Sequence, residues 1–322
     1  MIFMTVVSGM KFNQGEGAII SDEQSSSGFR KENIATKIHS LDLGEGKPFA
    51  LAGGSGYVMV LQDSIVQARD FLTNNREKIR IGRDLASGFA HVFLNVKQQY
   101  LDGVLFGEFG LKERDFHAGY RTEQDGEKIP LDPSIKSQYI ELKRKLNSDG
   151  ELLNNSFLVL TYDERGVDLY RLLMAIEHPL PIARPSDAIG SGSEQVDDEI
   201  AYYLDNIPRD ERGNINPIEG ISELLYGTER ASIRNPGVGG TPLVKIIKEG
   251  KVISPGENET RLAVEIVKGC RRGYLPKEFE RESLDALLYR GETFESIEGK
   301  MWECTSDREG LSRMLRGYKV RK

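Results

Sequence analysis

Three side chains near the start of the chain, Thr5, Asp22 and Lys37, have the types and the order needed for nucleophilic acyl transfer. A threonine hydroxyl is a weak nucleophile until a base takes its proton, and a residue that heads a processed chain can supply that base from its own α-amino group. An α-amine has a pKa of about 8, so a sizeable neutral fraction exists at neutral pH. A neighbouring lysine and carboxylate would tune the pair electrostatically. A backbone N–H at a glycine turn would hold the oxyanion, and Gly53, in Ala52-Gly53-Gly54-Ser55, is the candidate donor. Each residue also has a plainer reading. Threonine is a common strand residue, an acid at a strand end and a lysine can be solvated surface charges, and Gly53 can be a turn into a helix.

The surrounding pattern supplies the elements that must position these groups. Thr5–Phe12 and Ala18–Ser21 read as two strands across the turn Asn13–Gly17, with Asp22 ending the second. A third strand over Ile34–Leu41 carries Lys37, and a fourth over Pro48–Ala52 leads to Gly53. Ser55 is placed to cap a helix over about 56–73, and a second helix follows over about 79–100. Residues 102–155 are irregular apart from a helix over Pro133–Leu146 and read as an insertion. A strand pair spans Phe157–Leu172, helices run over Ser193–Leu204 and Pro217–Ile233, and a last strand pair covers Leu243–Ile253. Three helices are expected beyond Pro255, at Glu259–Lys268, Pro276–Tyr289 and Ser306–Tyr318. Segregated runs of strands and helices point to layered α+β, with two antiparallel sheets each covered by a helix pair.

In that order the motifs resemble the opening of a proteasome β-subunit and of the related bacterial two-ring peptidase. Ser21-Asp22-Glu23-Gln24 is similar to Gly-Asp-Gly-Gln of the bacterial form, and Ala52-Gly53-Gly54-Ser55 to its Ala-Gly-Gly-Thr. Ala188-Ile189-Gly190-Ser191-Gly192 is similar to the family's Ala-Ile-Gly-Ser-Gly, which implies that Ser191 lies beside the nucleophile. The resemblance covers roughly residues 4–102 and 156–253. It implies an N-terminal-nucleophile (Ntn) hydrolase with the four-layer αββα sandwich over 1–255, an insertion at about 103–155, and a helical C-terminal extension over 256–322. It also implies peptide or protein substrates, a homo-oligomeric ring and a possible ATPase partner. Two registers stay open, because the spacing to Lys37 puts Thr5 at the nucleophile position whereas Val7 and Ser8 fit best with Met4 there. Met4 also stands where the family has glycine before the cut, and Asn235-Pro236-Gly237-Val238-Gly239 stands where it has Asp-x-x-Ser-Gly. A non-catalytic scaffold subunit and a specialised amidase or ligase are the alternatives.

Composition narrows the classes. The chain has 322 residues, 29% of them charged, and a net charge of -7, which argues against a nucleic-acid partner. Cys270 and Cys304 are the only cysteines and read as free thiols, and the four histidines have no metal-ligand spacing, so no metal or cofactor is expected. No stretch approaches about 18 apolar residues and the start lacks a secretory pattern, so no membrane span and a cytoplasmic location are expected. The run Gly237-Val238-Gly239-Gly240 lacks the Lys-Ser/Thr of a phosphate-binding loop.

Overall fold

A short polar turn between two apolar runs produces the opening hairpin. β1 (Val7–Lys11) and β2 (Glu16–Ser21) pair antiparallel with Val7 opposite Ser21. In the turn, Asn13 Oδ1 accepts the Gly15 N–H at 2.8 Å, the local bond that lets asparagine reverse a chain. The computed structural model describes residues 5–27, 30–33, 37–122, 126–148, 151–235 and 238–315.

A ribbon of β3 (Gln24–Ser27) and β4 (Arg30–Asn33) comes next. β5 (Ile38–Asp42) and β6 (Phe49–Ser55) lead into α1 (Val58–Asn74) and α2 (Gly82–Phe109). α3 (Glu113–Ala118), the ribbon of β7 (Tyr120–Thr122) with β8 (Lys128–Pro130), and α4 (Pro133–Leu146) precede β9 (Ser156–Asp163), β10 (Gly166–Leu173), β11 (Leu180–Pro181) and β12 (Ser186–Ile189). α5 (Ser193–Asp205) and α6 (Pro217–Arg234) are followed by β13 (Leu243–Lys248) and β14 (Lys251–Ile253). The chain closes with α7 (Glu257–Arg271), α8 (Lys277–Leu288), α9 (Phe294–Cys304) and α10 (Arg308–Met314). Among the described residues this is a mixed α/β fold of ten helices with two five-stranded antiparallel sheets, ordered β12-β1-β2-β13-β14 and β11-β10-β9-β6-β5.

Strand alternation sends successive side chains into different cores. Val7, Ile19, Ile247 and Ile189 of the first sheet meet Ile38, Leu51, Leu158 and Leu169 of the second. The other face of the second sheet (Ala50, Ala52, Phe157, Val159) packs on Ile65 and Leu72 of α1 and Phe89 and Phe93 of α2. The other face of the first sheet (Val6, Met10, Ala18, Ile20) packs on α5 and α6, and the same cluster runs on through α7, α8 and α9 to Leu311. Leu101, Leu105, Phe116, Tyr139 and Leu146 form a separate cluster under α3 and α4.

Several sequence expectations give way. Ser55 caps nothing: it ends β6, opposite Ser156 of β9, and α1 starts after Tyr57, which makes no side-chain cap. The ladder claims the serine before the helix begins. α2 runs on to Phe109 through Gly103 and Gly107, because Leu101 and Leu105, one turn apart, find a buried face against the cluster beneath α4. β12 was not foreseen as a strand; it is the neighbour of β1, with Val7 opposite Ile189. Among the described residues the tail holds four helices rather than three, since Ile297, Met301 and Trp302 bury α9 in the first-sheet core. The end of the last expected helix, at 316–318, and the expected strand residues Ile34–Thr36 lie outside the described residues.

Phe157 sits at the centre of this packing, its ring 4.7 Å from that of Phe89 and 5.1 Å from that of Phe93. Phe157→Ala is expected to cost about 3–5 kcal/mol of unfolding free energy in urea titrations.

Candidate active site

The site is organised by one buried carboxylate at the end of β2. Asp22 Oδ1 accepts from the Thr5 hydroxyl at 2.6 Å, the Val6 N–H at 3.0 Å and Lys37 Nζ at 2.8 Å. Its Oδ2 accepts from the Gly239 N–H at 3.3 Å. Lys37 Nζ also donates to Thr5 Oγ1 at 2.8 Å, which closes a triangle of hydroxyl, ammonium and carboxylate. Thr5 precedes β1 and lies beside Asp22 because the Val7–Ser21 pairing continues outward as an Asp22 N–H to Val6 carbonyl bond of 3.1 Å. Lys37 stands one residue before β5, in the other sheet, rather than inside a strand. The Asp22 side chain is 1% exposed and that of Lys37 12%. Burial pulls the Lys37 ammonium below its ordinary pKa, against the opposing pull of Asp22 and Glu23.

The second half of the chain closes over Thr5. Ser191 Oγ accepts the Thr5 N–H at 3.2 Å, and the Gly192 N–H donates to the Thr5 carbonyl at 3.3 Å. Gly190, at φ +98°, permits the approach: a Cβ there would lie 2.2 Å from the Thr5 carbonyl oxygen and 3.0 Å from Ser55 Oγ. The Asn235 amide donates to the Ser191 carbonyl at 2.7 Å. Asn235, read in sequence together with Val238 as a place where a supporting polar group is replaced, thus contributes a hydrogen bond to this neighbourhood, as does Gly239. Sequence reasoning missed both, as well as Ser55; a backbone N–H leaves no mark in residue type. Pro236 and Gly237 of that segment lie outside the described residues, as do Met1–Met4.

Four of the five sequence candidates therefore come together: Thr5, Asp22, Lys37 and Ser191. Gly53 lies further along. It pairs with Ile38 and with Leu158, and a Cβ at Gly53 would lie 2.5 Å from Val7 Cγ1, so the missing side chain lets the two sheets close two residues from Thr5. Among the described residues, no group of three metal-ligating side chains is clustered, and no helix is long and apolar enough to cross a membrane.

No family model matches the sequence, and no curated protein matches it. Solved structures do. Anbu (ancestral beta-subunit) from Yersinia bercovieri superimposes with a TM-score of 0.54 at 12% identity over 84% of this chain and 94% of that one. The Anbu (Gly-1) mutant from Hyphomicrobium sp. strain MC1 gives 0.55 at 11% identity over 84% and 95%. These findings correct the resemblance drawn from sequence motifs. The likeness found is to Anbu chains, and at this identity, with no matching family model, it establishes a shared fold and not membership of the proteasome β-subunit family.

The lowered Lys37 pKa has a signed consequence for stability. The unfolded lysine titrates near its ordinary value and the folded one below it, so between the two the unfolded chain binds more protons and stability rises with pH. In Lys37→Met that contribution to the slope vanishes with the lysine itself. Denaturation midpoints measured from pH 8 to pH 10.5 compare the two proteins.

Proposed function

We propose that the chain is a threonine peptidase that hydrolyses peptide bonds through an N-terminal nucleophile. The observation that carries this reading is the triangle in which Thr5 Oγ1 meets Lys37 Nζ at 2.8 Å and Asp22 Oδ1 at 2.6 Å, with both charged side chains largely buried. A hydroxyl held between a lysine of lowered proton affinity and a carboxylate is poised to lose its proton on attack. Hydrolysis of the Met4–Thr5 bond would convert the Thr5 nitrogen, 3.2 Å from Ser191 Oγ, into a free amine that takes that proton. Oγ1 would then add to the scissile carbonyl, the Gly53 amide would hold the oxyanion, and the tetrahedral adduct would collapse to an ester on Thr5 with release of the amine product. Water would cleave the ester and regenerate the hydroxyl. Lys37 and Asp22 keep the charge around the nucleophile balanced throughout.

In this reading the two sheets and their helix pairs form a four-layer αββα sandwich over 1–255, with 103–155 inserted and 256–322 appended as helices. The similar chain from Yersinia bercovieri is an ancestral beta-subunit, which fits a chain that works in an assembly, and in this reading the assembly is a homo-oligomeric ring acting on peptide or protein substrates. An ATPase partner would deliver folded substrates to such a ring. A scaffold role is the second reading, favoured by Asn235 and Val238, which stand where the resembled family has Asp and Ser. A dedicated amidase or ligase is separated from both by its failure to cut generic peptides.

Intact mass of the purified protein is expected to show loss of Met1–Met4, abolished in Thr5→Ala. Turnover of fluorogenic peptides should fall below detection in Thr5→Ala and by about 10²–10⁴ in Lys37→Ala, and a threonine-directed β-lactone should add once per chain. A full-length chain inert to the lactone would establish the scaffold reading instead.

A further inference from the structure

Two helices carry opposite charge on faces left open to solvent. α5 holds Glu194, Asp197, Asp198, Glu199 and Asp205 and no basic residue. Its outer stripe of Glu194, Asp198, Tyr202 and Asp205 has the spacing of one helix face, and all four residues are exposed. Glu194 and Asp198 make no ion pair among the described residues. Asp205 makes only a long one, 3.4 Å to Arg212, with its own side chain 80% exposed. Tyr202, 75% exposed, stands among these acids as a bare aromatic ring. The inner stripe of Val196, Ile200 and Leu204 holds α5 to the first sheet.

α4 is the counterpart. Lys136, Lys143, Arg144 and Lys145 face a single acid on this helix, Glu141. Lys136, Ile140 and Arg144 lie one turn apart and are exposed, and neither Lys136 nor Arg144 has an ion pair among the described residues. Ile140, 65% exposed, lines a shallow groove together with His117, Tyr139, Lys143, Arg144 and Asn147. The groove thus offers apolar surface with cations around it. One wall is fixed before any partner arrives, because Glu113 accepts from the Tyr139 hydroxyl at 2.9 Å and from Lys143.

Both stripes are solvent-exposed in the single chain, so they do not meet within it. We propose that the α4 groove of one copy receives α5 of a second copy, antiparallel, with Tyr202 seated on Ile140, Asp198 beside Arg144 and Asp205 beside Lys136. Three matches support this occupant. The charges are complementary, the stripes Glu194–Asp205 and Lys136–Asn147 each run roughly 16 Å along their helices, and an exposed aromatic ring meets an apolar groove. An aromatic anchor in such a groove, with paired charges at its rim, is the usual anatomy of a protein interface. The antiparallel sense sets the positive end of each helix dipole beside the negative end of the other. Because the two surfaces differ, the contact is head to tail, and every copy joined through one stripe still offers the other. Such a contact propagates until it closes into a ring or extends as a filament. The inference goes beyond the peptidase reading and holds equally for a scaffold subunit.

The test follows the mass of the full-length protein by light scattering and its association by sedimentation velocity over a range of concentrations. Wild type is expected above the mass of one chain. Arg144→Glu alone and Asp198→Arg alone each set like charges face to face and should weaken the association by at least about tenfold. Tyr202→Ala should weaken it to a similar extent by removing the anchor. Arg144→Glu and Asp198→Arg combined in one chain exchange the charges at every contact and should restore assembly, which also shows that the single variants fail by repulsion and not by misfolding. A wild-type protein that stays monomeric at every concentration overturns the proposal. So does an assembly that survives the single reversals, or one lost in both and not recovered in the combined variant. The two readings fail separately. A monomer that cuts peptides sinks the α4–α5 contact alone, and a protein that assembles through this contact yet cuts nothing sinks the hydrolase alone.

Discussion

The Asp22 carboxylate is the constraint on which the rest of the site depends. A carboxylate removed from water at this depth must be met by donors or it takes up a proton. Asp22 meets four: a hydroxyl and an N–H from the head of β1, an ammonium from the approach to β5, and an N–H from the approach to β13. These donors belong to segments far apart in sequence, and each is in place only when its strand is in register. The charge therefore acts as a check on the assembly of both sheets. Removing any one donor leaves part of the negative charge unmatched, and the Thr5 hydroxyl is itself one of the four.

The two sheets make this convergence possible because their inner faces are almost wholly aliphatic. Val7, Ile19, Ile38 and Leu158 interlock between them, and Gly53 brings β6 close under β1. At the open end of that apolar layer, the side chain after Val6 and Val7 in reverse order is a threonine, and the side chain after Ile20 and Ser21 is an aspartate. Polar groups thus occur where the hydrophobic packing stops, with one lysine arriving from the opposite sheet. The arrangement gives low local polarity, so each contact among the three groups is stronger than it would be at the surface.

That Thr5, Asp22 and Lys37 would meet could be read in the sequence because such contacts require particular side chains, and strand alternation limits where those side chains can sit. The β1–β2 hairpin, α4, α5, α6 and the β9–β10 pair were legible for the same reason, since apolar spacing reports burial directly. The remainder was hidden by physics that composition does not carry. Gly239 serves through its N–H, which every residue but proline has. Asn235 does so through an amide aimed at a backbone carbonyl, which no motif specifies. β12 is only four residues long and earns its place from its pairing with β1. Ser55 is a plausible helix cap by type, but the β6–β9 ladder extends to it first. Registers with Met4 or with Thr5 in the pocket looked alike on paper; it is the Thr5 hydroxyl that touches Lys37 and Asp22.

The place of β1 in its sheet has a bearing on how the protein is made. β1 is an interior strand, flanked by β2 and by β12, a segment about 180 residues later; β2 in turn waits for β13, further on still. The helices that cover this sheet share one core that extends to Leu311. Contacts of such long sequence separation form late and slowly. Thr5 and Asp22 consequently meet all their partners only after the segments that carry Ser191 and Gly239 have been made, more than 180 residues beyond Thr5.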